Sequence, residues 1–103
     1  MLGIKDLMQQ AAGMQAKISA LQEELAQRSV MGEAGGGMVK VEASGAQEII
    51  SVQIERELVS ADDVEMLEEL VAAAVNDALR KSKEMVTEEV AKLTGGIKLP
   101  GLT

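Results

Sequence analysis

The densest positive charge in the sequence is the run NDALRKSK, residues 76–83, which places Arg80, Lys81 and Lys83 within four positions. The chain around it is acidic, with 17 Asp and Glu against 10 Lys and Arg and a formal net charge of −7. A polyanion would be repelled by that long-range field, so any anionic partner must be held locally. On a helix, Asn76, Arg80, Lys83 and Thr87 form a row opposite the apolar stripe, and Lys81 lies at the stripe's margin. The cluster therefore faces solvent or a partner. Two alternatives follow: an anion-binding strip, or a solvated face of i, i+4 pairs such as Arg80 with Glu84. Each such pair contributes a few tenths of a kcal/mol.

No other group of residues suggests chemistry. Without His or Cys, the common nucleophile–base pairs are missing. The carboxylates fall at exposed helix positions, where ordinary acidity makes poor general acids. Asp62, Asp63 and Glu65 lack the alternating oxygens and central Gly of a calcium loop. They fit an acidic first helical turn, where the helix dipole favours negative charge. The glycines at 35–37 run into a strand and not into a helix opening with Lys and Ser/Thr, so they predict a hairpin turn and no phosphate loop. The expectation is a protein that is not an enzyme, with no metal, no cofactor and no small-molecule substrate.

Composition bounds the rest. The 103 residues suffice for one domain. A domain of this size buries only about two-thirds of its surface, so a partner subunit would help it. With no aromatic residue and seven Met, the core must be aliphatic and Met, and Met specifies shape weakly. The absence of Cys gives no hint of secretion. The start, MLGIKDLMQQ, is too polar for a signal peptide, and Leu2 stands where a myristoylation site needs glycine. No apolar run is long enough to cross a bilayer, so no membrane partner is expected and a cytoplasmic location is the default.

Four segments must position the basic run. In residues 1–28, Ile4, Leu7, Ala11, Met14, Ile18, Leu21 and Leu25 recur in alternating steps of three and four. That heptad seam predicts a helix that buries a narrow stripe against another helix. Residues 29–58 read as an antiparallel hairpin sheet. Val39, Val41 and Ala43 face one way, Ser44–Gln47 turn, and Ile50, Val52 and Ile54 alternate with Ser51 and Gln53 to make a half-buried strand. Residues 61–94 hold a long helical pattern, with Ser60 as a candidate N-cap and Gly95–Gly96 as the stop. Residues 95–103 form a Gly/Pro tail.

Taken together, MQQAAGMQAKISALQEELAQ, GEAGGGMVKVEASG, MLEELVAAAVNDALRKSKE and LTGGIKLPGL resemble the YbaB/EbfC family of bacterial nucleoid-associated proteins over nearly the whole chain. The resemblance implies an α+β fold: a long N-terminal helix, a small antiparallel sheet of two to three strands, and a long C-terminal helical segment. It also implies a tweezer-like homodimer that binds double-stranded DNA and alters its conformation, with effects on gene expression and nucleoid organisation in the cytoplasm. Family contacts attributed to the first and last helices carry over to Lys5, Gln9 and Lys17 in the first and to Arg80, Lys83 and Lys92 in the last. The Asp-Pro that often follows the last strand in the family is replaced here by Glu55-Arg56, which puts the local geometry of that connection in question.

Physics limits such binding. The helical segment 61–94 would span about 50 Å at 1.5 Å per residue. That length exceeds a Debye length of about 8 Å at physiological salt, so the acidic end is screened from a contact at the other. Weak, salt-sensitive binding with little base readout is expected. Gln-rich helix 1 is the one place to look for adenine contacts. The alternative from another class is an acidic homodimeric protein–protein interaction module without DNA binding, using the heptad seam and Met-bearing surfaces.

Overall fold

The computed structural model describes residues 3–95. The tail expected at 95–103 therefore lies almost wholly outside the described residues. Two long helices, α1 (Ile4–Ala26) and α2 (Val64–Leu93), flank an antiparallel meander of β1 (Ser29–Ala34), β2 (Val39–Ser44) and β3 (Ile49–Ile54) in the order β1-β2-β3. This is the expected α+β class. The molecule is elongated, 72 × 20 × 16 Å.

Turn chemistry sets the meander. Gly35, Gly36 and Gly37 all adopt positive φ between β1 and β2, which a residue without Cβ does at little cost. The Ser44–Gln47 turn follows β2. Ser44 Oγ accepts from the Ala46 N–H at 3.1 Å, and Gln47 takes a left-handed φ of 64°. The register shifts between Glu42 and Ala43, which face Ser51 and Ile49, so Ile50 is the extra residue of a bulge.

The sheet has one polar and one apolar face. Ser29, Glu33, Lys40, Glu42, Ser51 and Gln53 share the outer face through cross-strand pairing, and the Ser29 hydroxyl donates to Glu42 at 2.7 Å. On the inner face, Val39, Val41 and Ala43 are buried together with Leu58, Ala74 and Ala78. α2 reaches this face by seating its backbone on Gly32. A Cβ at Gly32 would collide with the backbone of Ala78 and of Ala74.

α2 covers β1 and β2 but not β3, and this changes one expectation. Ile50, Val52 and Ile54 do alternate with polar residues, but they are 56%, 44% and 37% exposed. Val52 and Ile54 pair with the buried Val41 and Val39, so they lie on the apolar side of the sheet beyond the reach of α2.

The heptad seam of α1 is likewise buried in only one half. Ile18 and Leu25 are buried, whereas Ile4, at 78% exposed, and Leu7, Met8 and Met14 are open to solvent. α1 packs on α2 through its C-terminal half, where Arg28 just beyond it lies 3.7 Å from Glu89. Its N-terminal half stands clear of the core. Ser60 does not cap α2, which begins after Asp63. The Ser60 hydroxyl instead accepts from the Asp62 N–H at 3.2 Å, in the turn that follows the 3-10 helix Arg56–Leu58.

Candidate nucleic-acid interface

Ser82, inside the basic run, is the residue that orients it. It is fully buried, and its hydroxyl donates to the Ser44 carbonyl at 2.6 Å and accepts from Gln47 Nε2 at 2.8 Å. A buried hydroxyl satisfied in both roles is costly to displace. The neighbours of Ser82 are thereby turned outward: Arg80 and Lys83 are exposed and Lys81 is half-buried at the rim.

The run is not free positive charge. Asp77 sits at its centre, with Lys81 Nζ 3.0 Å from Asp77 Oδ2 and the Arg80 guanidinium against Oδ1. Arg80 also lies 3.5 Å from Glu84. The Glu33 backbone N–H donates to Asp77 at 3.0 Å. That backbone hydrogen bond, followed by the one from Lys81, holds the Asp77 carboxyl down at about 2 against an ordinary 3.8. Glu33, Ala73, Asn76, Asp77, Arg80 and Lys81 line a shallow open trough here. Among the described residues Lys83 makes no ion pair.

The same contacts close one edge of the sheet. The Glu33 N–H and the Met31 carbonyl point away from β2, and they meet Asp77 and Lys81 Nζ, the latter at 3.3 Å. The outward groups of β3 have no such cover among the described residues. Gln53 pairs with Lys40, and the Glu55 N–H donates to the Met38 carbonyl at 2.9 Å. Alternation then turns the backbone groups of Val52 and Ile54 outward.

The six residues carried from the family resemblance fall into separate places. Lys5 and Gln9 are exposed on the N-terminal half of α1, about 6 Å apart along the axis and about 40° apart around it. Lys17 is exposed but lies about 120° around the helix from Lys5. Arg80 and Lys83 are within one turn of each other. Lys92 is about 18 Å beyond Arg80 and 3.3 Å from Glu89. The fold thus brings together Arg80 with Lys83 and Lys5 with Gln9, and it leaves Lys17 and Lys92 apart. Asp77 was visible in the sequence only as an i, i+4 neighbour of Lys81; its bond to the Glu33 N–H, 44 residues away, left no sequence signal.

Residues 1–97 match the YbaB/EbfC DNA-binding family. The chain belongs to that family. A nucleoid-associated protein of Desulforamulus reducens is 57% identical over 96 residues, spanning 93% of this chain and 91% of its own. Another, from Caldanaerobacter subterraneus, is 52% identical over 99 residues, spanning 96% and 89%. The fold is shared with the crystal structure of an uncharacterized protein from Helicobacter pylori. There the TM-score is 0.79 at 25% identity, over 92% of this chain and all of the other.

Within this YbaB/EbfC chain, no described helix is long and apolar enough to cross a membrane. Among the described residues no group of three or more His, Cys, Asp or Glu is placed to hold a metal ion. The available chemistry is electrostatic: exposed cations on two helices, set against a majority of carboxylates.

Proposed function

We propose that the chain binds double-stranded DNA as a homodimer, through α1 and α2, and alters the path of the duplex within the bacterial nucleoid without catalysing a reaction. The carrying observation is that an acidic, family-matched chain presents Lys5, Lys17 and Lys83 exposed and without carboxylate partners among the described residues. Phosphate neutralisation by such lysines is independent of sequence. In support of the dimer, β3 combines an open edge with exposed Ile50, Val52 and Ile54. An uncovered apolar edge strand in a stable protein is normally covered by a partner.

The test is binding of a random-sequence duplex by fluorescence anisotropy across a salt series. Neutralising two phosphates lowers affinity about ten-fold between 50 and 200 mM salt. Replacing Arg80 and Lys83 by Glu lowers that affinity at least ten-fold while leaving the particle mass unchanged. One observation favours a second function, a protein-interaction module: the exposed Ile4, Leu7 and Met14 stripe on the N-terminal half of α1. Absence of duplex binding even at low salt would select it.

A further inference from the structure

We infer that Asp77 is a built-in counter-ion that limits the DNA affinity of α2 by holding Arg80 and Lys81 away from phosphate. The inference rests on the DNA-binding function proposed above and concerns its regulation. Asp77 is anchored from two directions: its own helix presents it beside Arg80 and Lys81, and the Glu33 N–H of β1 fixes one of its oxygens at 3.0 Å. Because a backbone group of another element holds it, the carboxylate cannot swing aside with Arg80 when a phosphate approaches. Only 18% of its side chain is exposed, against 63% for Arg80. The cation is the mobile partner and the anion the fixed one.

Glu84 adds a second carboxylate on the other side of Arg80, at 3.5 Å. Any phosphate that Arg80 reaches is therefore met by two nearby negative charges. Lys81 is tied more firmly still, because its ammonium also donates to the Met31 carbonyl. Of the three cations in the run, Lys83 alone approaches DNA without breaking an ion pair seen among the described residues. Counter-ion release on binding counts the cations that neutralise phosphates, so α2 contributes fewer charges than its composition suggests.

The experiment uses the full chain and a random-sequence duplex, and compares the wild type with Asp77→Asn and Glu84→Gln. Asn keeps an oxygen to accept the Glu33 N–H, so the seating of α2 on β1 persists while the charge is lost. The expected result for Asp77→Asn is about three- to ten-fold tighter binding at 50 mM salt, with a log–log salt slope steeper by about one. A purely structural role for Asp77 would not steepen that slope. Glu84→Gln shifts affinity in the same direction by less. If wild type binds and a folded Asp77→Asn chain binds no tighter, or with an unchanged slope, the inference fails and the DNA-binding function stands. Should Asp77→Asn not fold, Lys81→Gln decides: a Lys81 held by Asp77 neutralises no phosphate, so an unchanged salt slope is expected, and a slope shallower by about one overturns the inference. If neither wild type nor any variant binds, both the inference and the proposed function fall.

Discussion

Strands β1 and β3 are the two edges of one sheet, and α2 serves them differently. On β1 its backbone sits on Gly32, and its Asp77 and Lys81 side chains take up the outward N–H of Glu33 and carbonyl of Met31. On β3 nothing among the described residues covers the outward groups of Val52 and Ile54, and the side chains there are apolar and exposed. Unpaired strand edges template pairing with other chains, and natural sheets block the edge that must stay free. The difference teaches that charged residues near the basic run have two duties. Asp77 and Lys81 seal an edge as well as shaping a charged surface, and the edge left uncovered among the described residues is β3.

The contrast breaks most severely at β3. Val52→Lys places a charge in the proposed interface, and a two-fold interface counts each change twice, for about 4 kcal/mol in total. Light scattering is expected to report a monomer of 10.9 kDa; an unchanged dimer would move the interface elsewhere. A smaller loss is expected on the sealed side. Gly32→Ala forces α2 off β1 and destabilises the fold by about 3 kcal/mol, read as a lower urea midpoint. If stability is unchanged, the close seating of α2 is not what holds that edge.

Weaker effects sharpen the comparison without unfolding either edge. Arg80→Glu with Lys83→Glu is expected to cost at least ten-fold in duplex affinity, about 1.4 kcal/mol, with no change of mass. The smallest effect is one of pH. The carboxyl of Asp77 titrates at about 2 in the folded chain against an ordinary 3.8. Its stabilising contribution is therefore complete above about pH 4 and is lost as pH falls through about 2. Acid unfolding of Asp77→Asn should lack that component, and titration curves that superimpose would show that the Glu33 N–H does not hold the carboxylate in solution.

Much of this architecture was legible before folding. The three-four steps of Ile4 to Leu25 read as a helix because side chains at that spacing share one face, and they do so whatever lies opposite. The triple glycine and the Val39-Val41-Ala43 alternation read as a hairpin for equally local reasons. The fate of each apolar face was not legible. Ile4 and Leu25 carry the same pattern, yet one is exposed and the other buried, because only the C-terminal half of α1 meets α2. Ile54 and Val39 are cross-strand partners on one face, and only Val39 lies beneath the helix. Similarly, Arg80, Lys83 and Lys92 look alike in composition, but Lys83 alone of these three escapes a carboxylate among the described residues.

The order and type of the elements, the acidic field and the local basic run are properties of the sequence by itself, since each depends on residues a few positions apart. Tertiary structure decided which charges are spent on one another and which edge stays open. Both depend on where α2 comes to rest. Seating on Gly32 brings Asp77 to the Glu33 N–H and Lys81 to the Met31 carbonyl, and a rigid helix placed over β1 and β2 is too narrow to cover β3 as well.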